Sequence, residues 1–196
     1  LVDPEFLSTL PERQWLSGLA EVLKHALIAD ADYWTFLASL DLKNEEYLRA
    51  LLHKSIEIKN AIVLQDWKEK GLRKTLNFGH TIGHALESNA LENKKNLLHG
   101  EAVAIGLAVE TILSEMKNKL SQQECSKILS RLKEVFNLDP IKENEFSDLI
   151  EWMRHDKKND SAQINFTLLN KIGQADYNKT VSENVIEEAM YRYNSF

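Results

Sequence analysis

Cysteine, proline and glycine are all scarce in this chain: one, three and seven residues among 196. The lone thiol, Cys125, excludes an intramolecular disulfide and suits a reducing cytoplasm. So few helix breakers, beside plentiful Leu, Ala, Glu and Lys, point to helices and not sheets. Positive charge is also short, with 24 Lys and Arg against 30 Asp and Glu and a net charge of −6. No global field therefore favours nucleic acid or an anionic membrane, and an anionic ligand would need cations gathered locally. No apolar run approaches the roughly 20 residues a membrane helix requires, and no signal-like segment opens the sequence. Leu1-Val2-Asp3-Pro4 reads instead like the exit of a strand, so an N-terminal partner domain is expected outside residues 1–196.

The apolar pattern predicts one mainly α domain over 1–196. Thr9-Leu10-Pro11-Glu12 has the form of a capping box with Thr9 as N-cap, leading into a stripe of Leu16, Leu19, Ala20, Leu23 and Leu27. Helices are expected over about 32–39, 44–66, 75–87 and 98–117, the last long and largely buried. Further helices are expected over 121–136, opened by Ser121 with Glu124 three residues on, then 143–154 and 182–193. Only 163–169 and 172–177 look like strands, which makes a single hairpin turning at Asn170-Lys171.

The chemistry concentrates in Arg73-Lys74-Thr75-Leu76-Asn77-Phe78-Gly79-His80-Thr81-Ile82-Gly83-His84-Ala85-Leu86-Glu87. On a helix, His80 and His84 share a face. Gly79 and Gly83 each cost about 1 kcal/mol of helix stability relative to alanine, which implies a close approach to the backbone. Two packed histidines at a tight helix crossing would explain the same pattern. Leu98-His99-Gly100-Glu101 adds a third imidazole at the mouth of a helix, where it borders a cavity or simply caps the end. Glu21, Lys24 and His25 lie opposite the Leu16/Leu19/Leu23 stripe, where a solvated face with an i,i+3 ion pair is the default. A carboxylate and two histidines nevertheless make a three-ligand metal site with one position open. Lys59, Arg73 and the Arg154-His155-Asp156-Lys157-Lys158 stretch supply candidate anion-binding cations.

Three blocks together resemble 3-dehydroquinate synthase across essentially the whole chain. They are Glu12-Arg13 through Ser17-Gly18-Leu19-Ala20-Glu21-Val22-x-Lys24, the Gly71-to-Ala85 segment, and Leu98-His99-Gly100-Glu101-Ala102-Val103-Ala104-Ile105-Gly106. The resemblance implies the family's C-terminal helical domain, with the NAD-binding Rossmann-like domain absent; no glycine-rich phosphate loop of that kind occurs here. It implies Glu21, His80 and His99 as ligands of Zn2+, with Co2+ as an alternative, and His84, Lys24 and Asn77 as catalytic groups. Lys59 and Arg73 would face the substrate carboxylate, and Asn77 and Lys157 its phosphate. The implied reaction is the NAD-dependent conversion of 3-deoxy-D-arabino-heptulosonate 7-phosphate to 3-dehydroquinate plus phosphate, in the shikimate pathway, by a cytoplasmic homodimer. The family's Asp-Glu-x-Glu pattern is altered, since Asp66-Trp67-Lys68-Glu69 carries tryptophan in place of the second acid. Rival expectations are a cyclase of a sugar phosphate without the carboxylate, a metal-dependent polyol dehydrogenase, and a helical interaction module with structural histidines.

Overall fold

The computed structural model describes residues 4–7, 9–42, 47–156 and 163–196. Its helices are α1 (Glu12–Ala29), α2 (Ala31–Ser39), α3 (Leu48–Gln65), α4 (His80–Glu92), α5 (His99–Lys117), α6 (Gln122–Val135), α7 (Phe146–Asp156) and α8 (Glu183–Asn194). Strands β1 (Gln163–Lys171) and β2 (Gln174–Ser182) pair antiparallel as one hairpin, so the fold is mainly helical, as the composition predicts.

Helix α5 is the axis of the molecule. From Ala102 to Ser114 every residue is buried, and α1, α4, α6, α8 and β1 pack around it. A helix buried on all sides can only be a central one. The α4–α5 crossing is close enough for backbone to meet backbone. A Cβ on Gly106 would stand 2.0 Å from the Gly79 carbonyl oxygen, and one on Gly83 would meet Val103 Cα at 3.3 Å. The glycines beside the histidines thus make room for α5. Gly79 also has φ +80, a left-handed conformation that glycine tolerates best.

The start of α4 has no capping side chain of its own. Glu110, fully buried on α5, takes that role: its two oxygens accept from Gly79 N at 2.7 Å and Ile82 N at 3.1 Å. A carboxylate facing a helix N-terminus is favoured by the aligned peptide dipoles.

Several local expectations are corrected. Thr9 does not cap α1; the N-cap is Pro11, whose extended ψ of 142 leaves Thr9 outside the first turn, with no side-chain cap bond. The expected 75–87 helix begins only at His80, because Leu72–Asn77 is a 3-10 segment closed by Phe78 in an extended conformation. Of the expected 44–66 helix, the described part starts at Leu48, and residues 44–46 lie outside the described residues. The hairpin turns at Ile172-Gly173, not Asn170-Lys171. Gly173 supplies φ +81 and packs so tightly on α2 that a Cβ would come within 2.5 Å of Ala31 N. The Ser121/Glu124 capping box forms as predicted.

The hairpin braces the loop before α4. Thr167 Oγ1 donates to the Lys74 carbonyl at 2.8 Å, and a Cβ on Gly71 would lie 3.2 Å from the Tyr177 hydroxyl. That loop carries Arg73 and Asn77.

Candidate metal and substrate site

Helix α1 contributes Glu21, but not from a solvated face. Lys24 and His25 are 3% and 4% exposed, because α3 and α5 both pack against α1. The predicted i,i+3 pair does form, with Lys24 Nζ donating to Glu21 Oε2 at 2.7 Å. The other oxygen, Oε1, is buried with no hydrogen-bond partner. It faces His80 Nε2 at 3.4 Å and His99 Nε2 at 3.9 Å. One ligand atom from each of Glu21, His80 and His99 lies within 4.8 Å of the others.

Each histidine opens a helix, His80 on α4 and His99 on α5, and each has its far nitrogen tied back. His80 Nδ1 lies 3.1 Å from the Phe78 carbonyl, which can only accept, so Nδ1 bears the proton and Nε2 keeps a lone pair. His99 Nδ1 lies 2.9 Å from Glu87 Oε2 in the same arrangement. Both lone pairs therefore point into the gap at Oε1.

This donor set suits a divalent cation. The Glu21–His80 edge of 3.4 Å is that of a tetrahedron with bonds of about 2.1 Å, the other edges are wider, up to 4.8 Å, and an unsatisfied buried carboxylate oxygen is costly unless something positive meets it. Burial raises the Glu21 pKa, yet the attraction and hydrogen bond of Lys24, with His80 and His25 behind it, outweigh burial and hold it below the usual carboxylate range. Burial first, and the Lys24 charge second, push His80 down to about 4, so the ring is neutral at physiological pH. His25 is likewise pushed down to about 4 by burial, with Nδ1 2.7 Å from Ser55 Oγ. Lys24 is lowered by burial, offset in part by Glu21.

His84 sits one turn past His80, with ring centroids 5.2 Å from His80 and 6.2 Å from His99. It borders the cluster without entering the ligand triple. The exposed Lys59 on α3 is close enough for its charge to depress the pKa of Lys24 and His25. Arg73 is positioned by a loop wound around Asp66, which accepts from the backbone N–H of Lys70, Gly71 and Arg73 at 3.0, 2.7 and 3.0 Å. Those bonds keep Asp66 below its ordinary pKa. Arg73 donates to the Trp67 carbonyl at 3.1 Å, and Glu69 lies 3.8 Å from its Nε while accepting from Asn77 at 3.3 Å. Trp67 itself is exposed, so its backbone, not its side chain, serves Arg73. Lys157 and the adjacent Lys158 lie outside the described residues.

Glu87 and Glu110 were not foreseen as site residues. Glu87 follows His80 by two helical turns on the same face, a spacing that can place it beside the cluster. Glu110 stands alone in a buried apolar run, where a carboxylate must find donors. Volume is a poor guide here. A groove of about 720 Å³ between α2 and α6, lined by Trp34, Lys127 and Arg131, shares no residue with the histidine cluster.

Comparison with known proteins covers all of these positions. The family described as 3-dehydroquinate synthase C-terminal matches residues 18–159. The chain is 39% identical over 194 residues to 3-dehydroquinate synthase of Parabacteroides distasonis, covering 98% of this chain and 55% of that protein. It is 39% identical over 191 residues to that of Campylobacter concisus, covering 96% and 54%. It thus spans about half the length of the curated relatives it matches. Among solved structures, the 2-epi-5-epi-valiolone synthase ValA of Streptomyces hygroscopicus, with NAD+ and Zn2+ bound, superposes with TM-score 0.80 at 27% identity, covering 100% of this chain and 55% of that one. A 2-deoxy-scyllo-inosose synthase, at TM-score 0.74 and 23% identity, shares the fold. With most of its length, including Glu21, His80 and His99, inside the match, this chain belongs to the 3-dehydroquinate synthase C-terminal family.

Proposed function

We propose that residues 1–196 form the metal- and substrate-binding half of a 3-dehydroquinate synthase, which converts 3-deoxy-D-arabino-heptulosonate 7-phosphate to 3-dehydroquinate and phosphate. The observation that carries this reading is the orphaned, buried Glu21 Oε1 facing two imidazole lone pairs. Glu21, His80 and His99 would hold the ion, Zn2+ by preference and Co2+ by ligand type as the alternative. A divalent ion there would act as a Lewis acid, stabilising negative charge on a substrate oxygen and acidifying the neighbouring carbon.

The chain's other residues bind and orient. Lys24 neutralises one Glu21 oxygen and leaves the other free to face the site. Arg73 offers a planar fork, and Lys59 a point charge, to the substrate carboxylate, which the protein's net negative charge would otherwise repel. Asn77 and Lys157 would take the phosphate end. Glu69 already holds Asn77 and stands near Arg73, so both side chains are directed toward one side of the loop before a ligand arrives. His84, beside His80, would carry a proton at a ring nitrogen between substrate and solvent. NAD, as hydride acceptor and donor, would be bound by a domain outside residues 1–196, and the complete enzyme would act as a cytoplasmic homodimer.

ValA supports a second reading, a cyclase for a sugar phosphate without the carboxylate. Arg73 and Lys59 together favour the carboxylated substrate. The test is phosphate release from both substrate types by this chain alone and by the chain joined to an NAD-binding half, with NAD and zinc present. The joined protein turning over the carboxylated substrate, with the chain alone silent, is expected. Turnover by the chain alone overturns the division into halves, and preference for the uncarboxylated sugar overturns the substrate.

A further inference from the structure

His99 and His80 reach the same point from unlike surroundings. The His80 side chain is 13% exposed and tied to a backbone carbonyl, so packing and that local bond fix its ring. His99 is 48% exposed at the first residue of α5, where little packing restrains rotation. Its outer nitrogen, Nδ1, lies 2.9 Å from Glu87 Oε2, on α4.

From this we infer that Glu87 is a positioning residue of the metal site, holding the exposed His99 ring so that Nε2 faces Glu21. The inference rests on the metal reading of Glu21, His80 and His99. A carboxylate only accepts, so the bond requires the His99 proton on Nδ1 and leaves the Nε2 lone pair toward the gap. The negative charge behind the ring also makes Nε2 a better donor to a cation, and partners of this kind commonly change metal affinity about 10–100-fold. The geometry suits that task. Glu87 is two turns beyond His80 on α4, so one rigid helix carries one ligand and the tether of the other, and the Gly83–Val103 contact sets the distance between the two helices. Packing and hydrogen bonding thus divide the work, with His80 fixed mainly by burial and His99 mainly by Glu87.

The test uses the 196-residue chain with Glu87→Ala and Glu87→Gln. The Glu87 side chain is 31% exposed, so both variants are expected to fold, which circular dichroism checks. Two readouts are taken: zinc affinity by chelator competition, and the His99 tautomer in the zinc-free chain by long-range nitrogen–proton NMR. Glu87→Ala is expected to weaken zinc about 10–100-fold and to move the His99 proton off Nδ1. Glu87→Gln, whose amide oxygen still accepts, is expected to keep the tautomer and lose less than about tenfold. Either readout unchanged in Glu87→Ala overturns the assignment. A loss as deep as that of His80→Ala overturns it too, since Glu87 would then be a ligand. Failure of the unaltered chain to bind zinc removes the metal reading and the role of Glu87 in it together, while the tautomer readout separately decides whether Glu87 holds His99.

Discussion

Lys24 grips only one oxygen of Glu21: Oε2 is held at 2.7 Å, and Oε1 is buried without a partner, 3.4 Å from His80 Nε2. A carboxylate that needed only to be neutralised could share both oxygens with its lysine. This one is half satisfied, in the direction of the His80 and His99 imidazoles.

Replacing the lysine exposes that imbalance. Lys24→Met keeps the volume and removes the charge, leaving Glu21 uncompensated in a largely buried place. A loss of roughly 1–3 kcal/mol is expected by urea unfolding of the zinc-free chain, below the figure for fully buried pairs because Glu21 is 30% exposed. Saturating zinc should recover part of it. A loss under about 0.5 kcal/mol would contradict the account.

The α4–α5 crossing yields a pair of opposite expectations. Gly106→Ala places a methyl 2.0 Å from the Gly79 carbonyl oxygen, where no side chain can yield, so the helices must separate. Destabilisation of at least roughly 3 kcal/mol, or failure to fold, is expected. Gly18→Ala, inside α1 with nothing within 4 Å of the new Cβ, should be neutral or stabilise by up to about 1 kcal/mol. Thermal melts of the two variants decide; equal effects would show that the crossing is less tight than described.

Acid should weaken the zinc-free fold earlier than carboxylate protonation alone predicts. His25 and His80 are both pushed from 6.5 to about 4 by burial first and by Lys24 second. Between those values the unfolded chain binds the protons that the folded chain refuses. Stability is therefore full above pH 6.5 and falls as pH drops toward 4, by roughly 2 kcal/mol per histidine by pH 5. His25→Asn should remove its share of that slope in urea titrations at several pH values. An unchanged slope would show that His25 is not held neutral.

Much of this was legible in the sequence, for physical reasons. Helix α5 declares itself by its apolar run from Ala102 to Val109, and the Ser121/Glu124 box marks a helix start by local bonding alone. The α4–α5 glycines signal close approach, although not which backbone approaches. Two of the misreadings share a cause: one-sided reasoning about elements packed on more than one side. Lys24 and His25 lie opposite the leucine stripe of α1 and are still buried, since α3 and α5 both cover that helix. Asn170-Lys171 has turn-like residues, but the hairpin tip must meet α2, where only Gly173 fits. The tether from Glu87 to His99 joins two helices, and spacing along one chain segment does not reveal it.

The most direct measurement is zinc stoichiometry and affinity of the 196-residue chain after metal stripping, beside Glu21→Gln, His80→Ala, His99→Ala and His84→Ala. One zinc per chain is predicted, with binding weakened at least about 100-fold in the first three variants and largely kept in the fourth. No zinc on the unaltered chain, or a loss in His84→Ala equal to that in His80→Ala, would contradict the ligand set built on the free oxygen of Glu21.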